Sequence, residues 1–157
     1  MLIDYKIFIM KHKAYLLLAC FAFAIAFSSC SKDDGSSSPT EDVVNIVSDG
    51  TWRITYFFNS DTEETSDFAG YNFTFGTGNS LTASNGILMH TGTWSLTTES
   101  GDDNPGAPDF NIAFAAPATF TELTEDWDIL TQTTDKIALQ HISGGDGGTD
   151  MLTFEKN

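Results

Sequence analysis

From residue 51 onward, apolar and polar residues alternate with period two, and Gly, Asn or Asp interrupt the alternation every few residues. Successive side chains of a strand point to opposite faces, so this pattern puts one face in a core and the other in water. Trp52, Ile54, Tyr56 and Phe58 share one face of a first strand, with Arg53 and Thr55 on the other. Tyr71, Phe73 and Phe75 alternate with Asn72 and Thr74 in a second. Gly76-Thr77-Gly78-Asn79 reads as a hairpin turn into a third strand, Ser80 to Ser84, and Asn85-Gly86 as the turn into a fourth, Ile87 to Thr97. After an acidic loop, Glu99 to Pro108, come Phe110 to Phe114, Trp127 to Thr131, Ile137 to Leu139 following a turn at Thr134-Asp135, and Leu152 to Phe154, completing eight. Helical spacing is confined to Glu41 to Ser48, where Val43, Ile46 and Val47 share a face, and to a turn at Thr119 to Glu125. Neither is long enough for a helix-based core. Eight mostly antiparallel strands with short turns can stack as a two-sheet sandwich or close into a barrel, and closure removes exposed edges. The expected fold is therefore all-β, an eight-stranded up-and-down antiparallel barrel over residues 43–157 with a short N-terminal helical turn.

The first 29 residues read as a processing signal. Lys11, His12 and Lys13 precede an uncharged run of 14 residues, Ala14 to Phe27, which is too short for an ordinary membrane-spanning helix and suits a signal peptide. Met10, just before the basic residues, is a second candidate start. The run ends in Phe27-Ser28-Ser29-Cys30, which resembles a lipobox, where cleavage exposes a Cys that then carries lipid, palmitate included. Leu17-Leu18-Ala19-Cys20 fits the consensus slightly better but leaves only Ala14 to Ala19 as its apolar region, so Cys30 is the expected lipidation site. A plain secretory signal with Cys30 as a free thiol is the alternative. These are the only two cysteines, which leaves no disulfide framework and no thiolate zinc site. Residues 30–42 then form a polar, Ser-rich and acidic tether.

Charge narrows the partners. The chain has 22 Asp+Glu against 7 Lys+Arg, and a formal charge of −15. Cleavage before Cys30 leaves Lys32, Arg53, Lys136 and Lys156 against 21 acids, a charge of −17. Such a surface has no basic face to neutralise phosphates, which excludes nucleic-acid binding of that kind. The membrane is reached through the lipid on Cys30 instead.

Two resemblances add to this reading. Cys30-Ser31-Lys32-Asp33-Asp34 looks like the export signal of Bacteroidota-type surface lipoproteins, and the resemblance implies an outer-membrane, lipid-anchored, cell-surface protein. An ordinary solvated linker is the competing account of those five residues. The helical turn, Gly50-Thr51-Trp52 at the first strand and the aromatic meander ending in Leu152-Thr153-Phe154-Glu155 resemble the lipocalin-like small lipoproteins over residues 43–157. That resemblance implies that Gly50 and Trp52 set an indole across the closed end of the barrel. The sequence departs from the secreted lipocalins in lacking the last-strand Arg that covers this Trp, since Arg53 is the only Arg. Gly92-Thr93-Trp94 echoes Gly50-Thr51-Trp52 and is read as a strand-entry habit rather than a repeat.

Catalytic constellations are missing: no Ser lies in a Gly-x-Ser-x-Gly setting, and His90 and His141 are the only histidines after the signal. No enzyme activity and no cofactor are expected. By strand parity His90 falls with Trp94, and His141 with Ile137 and Leu139, so both are candidates for polar anchors in an apolar cavity. The competing account sets them at strand ends with satisfied hydrogen bonds. The candidate cavity residues are Tyr56, Tyr71, Phe73, His90 and His141, for a small apolar or amphipathic ligand. Acids cluster at Asp61, Glu63, Glu64 and Asp67, at Glu125, Asp126 and Asp128, and in Gly144 to Asp150, where Asp146 and Asp150 are weak calcium candidates. Solvated loop charge also accounts for each cluster. An interaction module, or an inhibitor of an exported enzyme, working through acidic loops is the alternative function, and an interior filled by Phe and Trp favours it.

Overall fold

The computed structural model describes residues 38–98, 108–144 and 148–157. The signal segment with Cys20 and Cys30, the tether up to residue 37, most of the acidic loop (99–107) and Asp146 lie outside the described residues.

Helix α1, Pro39–Val47, starts two residues before its expected position because Pro39 has a φ suited to the first turn and the Ser38 hydroxyl caps it, accepting from Glu41 N at 3.2 Å. Val43 and Val47, one turn apart, are buried against the sheet. After the helix, Gly50 takes φ +84, a left-handed conformation that favours glycine, and turns the chain into β1, Trp52–Asn59. A two-residue strand, β2 (Thr62–Glu63), and a 3-10 turn, Thr65–Phe68, follow. Then come β3 (Asn72–Phe75), β4 (Ser80–Ser84), β5 (Met89–Thr97) and β6 (Asp109–Phe114). A single helical turn, α2 (Ala118–Thr121), leads to β7 (Glu125–Gln132), β8 (Lys136–Ile142) and β9 (Thr149–Lys156).

Every ladder is antiparallel, and β1 pairs with both β3 and β9. Eight strands therefore close into a barrel, with β2 as an extra strand on β1. The eight expected strands are those eight, while β2 and the 3-10 turn were not expected. Two other local expectations are corrected. Ile87 and Leu88 belong to the β4–β5 turn, because the Asn85 carboxamide oxygen captures Ile87 N at 3.1 Å and Leu88 N at 2.8 Å, delaying strand entry to Met89. Tyr56 does not follow Trp52 and Ile54 into the interior. Ile54 pairs with Phe154 but Tyr56 with Thr153, so Thr55 is an extra residue and the bulge reverses parity. Phe57 takes the buried place, and Tyr56 is 41% exposed.

Eight strands enclose an interior just wide enough for side chains. Trp52, Phe57, Phe68, Phe73, Phe75, Phe110, Trp127 and Phe154 fill it, all fully buried or nearly so. Their rings meet edge to face: Phe73 to Phe154 at 5.3 Å, Phe75 to Phe110 and to Phe154 at 5.5 Å. The outward side chains are mostly hydroxyl, amide or charged, such as Arg53, Asn72, Thr74, Thr82, Thr93 and Asp128. That distribution is the reverse of a lipid-facing barrel. Among the described residues, no helix is long and apolar enough to cross a membrane.

Candidate functional site

The two ends of the barrel differ. At the end carrying α1, Trp52 is fully buried and its Nε1 donates to Val47 O at 2.8 Å. The cation over its ring comes from β9 after all: Lys156 Nζ sits 5.8 Å from the ring centroid and 2.6 Å from Asp49 Oδ2. At Gly50, an added Cβ would lie 3.0 Å from Lys156 Cε, so a side chain there would push the lysine aside. At this end the buried Trp52 indole is thus held by the Val47 carbonyl and covered by Lys156.

At the opposite end, the mouth, the 3-10 turn and α2 meet. Thr65 fixes the first: its Oγ1 accepts from Phe57 N at 2.8 Å, and its own N donates to Glu63 Oε1 at 3.0 Å. Thr124 closes the base of the second, its hydroxyl accepting from Phe114 N at 2.9 Å and donating to Phe114 O at 3.2 Å. Phe120 is thereby set into the opening, with Phe68 at 5.4 Å, Phe114 at 5.2 Å and Tyr71 at 5.1 Å, all edge to face. The His90 ring lies 4.5 Å from that of Phe120, and its Nε2 is 3.3 Å from Tyr71 Oη.

Of the candidate cavity residues, Tyr71, Phe73 and His90 come together around Phe120. Phe73 is core packing; Tyr71 and His90 are a half-buried polar pair packed against the buried Phe120 ring. Tyr56 is on the outside. His141 stands apart at the end of β8, edge-on to Trp127 at 6.2 Å, with Nδ1 2.9 Å from Glu125 Oε2. Asp150 is buried and accepts from Ser60 N at 3.0 Å, so that carboxylate is committed to holding the β1–β2 turn.

Two features of the mouth escaped the sequence reading. Glu122, just after α2, faces Glu64 and Asp67 from the 3-10 segment. Partial desolvation first, then the charge and hydrogen bond of Glu64 and the charge of Asp67, raise its carboxyl above the ordinary carboxylate range. At the same end, the β4–β5 turn and the first residue of β5 expose Ile87, Leu88 and Met89 by 91%, 53% and 67%. Three consecutive exposed apolar side chains were hidden by being assigned to a strand.

Fold and site together define a small closed antiparallel barrel with a side-chain-filled interior and an acidic, apolar-tipped mouth. No protein-family model, curated protein or solved structure gives a match to this chain.

Proposed function

We propose that the chain is an exported outer-membrane lipoprotein, anchored through Cys30 and displayed at the cell surface, whose barrel docks a protein partner at its mouth. The observation that carries this reading is the exposed run Ile87-Leu88-Met89 at the same end of the barrel as the Glu64, Asp67 and Glu122 carboxylates, on a barrel whose interior is already occupied by side chains. Contiguous exposed apolar side chains rimmed by charge are a common mark of an interaction surface. The complementary partner offers an apolar cleft with a basic rim. Leu88→Asp, with an unchanged melting temperature, should abolish photo-crosslinking from a probe at Ile87 to a defined exported protein in cells. Crosslinking that survives Leu88→Asp, or no defined adduct at all, would overturn the proposal. Anchoring is tested separately: tagged palmitate should label the wild type but not Cys30→Ala, and labelling lost only in Cys20→Ala would move the site.

The half-buried Tyr71–His90 pair against Phe120 favours a second reading, a small apolar or amphipathic ligand taken up at the mouth with that pair as its polar anchor. Fatty acids, isoprenoids and haem should then perturb indole emission saturably, and His90→Ala should weaken the effect. No change across such a panel removes that reading and leaves the docking one standing.

A further inference from the structure

We propose that Glu125, Asp126 and His141 form a binding site for one divalent transition-metal ion of the zinc class. The three come from neighbouring strands, Glu125 and Asp126 opening β7 and His141 near the end of β8. Each contributes one donor atom, and the three atoms lie within 4.8 Å of one another. His141 carries the argument. Its Nδ1 is inaccessible to solvent and has no hydrogen bond, although Glu125 Oε2 is only 2.9 Å away. Two ligands of one zinc ion, each about 2.0–2.2 Å from the metal, lie roughly 3.0–3.5 Å apart. The short, misaligned contact between imidazole and carboxylate is close to that spacing, and a small relaxation brings it there.

The surroundings fit a cation. Trp127 holds the imidazole edge-on, at an interplanar angle of 84°. Asp126 and His141 also line a polar pocket of about 390 Å³ together with Asp109 and Asp128, which face each other across the β6–β7 ladder. Their field draws divalent cations toward the rim. Asp126 is exposed and Glu125 only half-buried, which leaves positions for water to complete the coordination shell. One imidazole with two carboxylates suits zinc and its neighbours, whereas calcium and magnesium take oxygen alone.

The test uses the full chain with Cys20→Ser and Cys30→Ser, so that thiols do not compete, stripped with chelator and titrated with Zn²⁺ by calorimetry. One zinc per chain is expected, bound at least about tenfold more tightly than Ca²⁺, with a rise in melting temperature. His141→Gln and Glu125→Gln should each weaken binding by about tenfold or more, while Asp135→Asn, on the β7–β8 turn, should leave it unchanged. Co²⁺ in place of zinc should give a visible absorption band that His141→Gln alters. If circular dichroism shows His141→Gln unfolded, the Glu125→Gln result decides. Several weak equivalents insensitive to either substitution, zinc bound no tighter than calcium, or no saturable binding, would overturn the site.

Discussion

Ser60 and Asp61 turn the chain from β1 into β2 with φ of 48 and 70, both left-handed and neither of them glycine. Such residues cost of order 1 kcal/mol each and persist only where neighbours hold them, as Asp150 does here through Ser60 N. Replacing the pair by Asn-Gly, the preferred residues for this kind of two-residue turn, should raise stability by about 1 kcal/mol in urea unfolding. A neutral or destabilising result would mean the turn is relaxed as it stands. The pair also shows what one residue's neighbourhood hides from a sequence. Asp61 reads as one more loop acid, because the carboxylate that supports its turn is in β9, 90 positions after Ser60. Lys156 is similar: nothing in its local sequence says that it covers Trp52.

At the scale of elements, legibility followed distance along the chain. The eight strands, α1 and most turns were readable because alternation and turn chemistry are local. The Thr55 bulge was not, since an extra residue is defined only by its partners in β9. That single shift moved Tyr56 out of the candidate cavity set. The His141–Glu125 contact likewise exists only once β7 and β8 are in register. Gly92 was read as part of a strand-entry pattern, yet it lies mid-strand opposite Phe114. An added Cβ would strike Ala113 O, which is backbone, and come within 2.8 Å of the Phe114 ring. Gly92→Ala should therefore destabilise the barrel by about 1–3 kcal/mol; a loss under about 0.5 kcal/mol would show that β6 can move away. The two elements across the mouth carry a pH term. The raised Glu122 carboxyl favours the folded state while it is protonated, so its contribution is present below the unfolded pKa and is lost as pH rises through the folded one. Glu122→Gln should flatten that decline and leave the protein slightly more stable at pH 7, by a few tenths of a kcal/mol for so exposed a group. An unchanged pH profile in thermal melts would remove the carboxyl pair as its source.

For the whole molecule, a formal charge of −15 is the dominant long-range term. Like charges compress together on folding, and salt screens them, with a Debye length of about 10 Å at 0.1 M. The melting temperature should rise between about 10 mM and 150 mM NaCl, and more so for the wild type than for a variant with Asp109→Asn and Asp128→Asn. A flat response would place the carboxylates too far apart in solution to matter.

Closure of the barrel by β1 and β9 has a temporal meaning too. Arg53 and Glu155, paired across that seam, are 102 positions apart, so the first strand has no partner on this side until β9 has been synthesised. Contacts of such separation form slowly. A chain emerging from a ribosome therefore keeps the barrel open on this side until β9 has been made. The same delay leaves an aromatic-rich strand edge waiting for its mate, a window in which a holding chaperone would protect the chain.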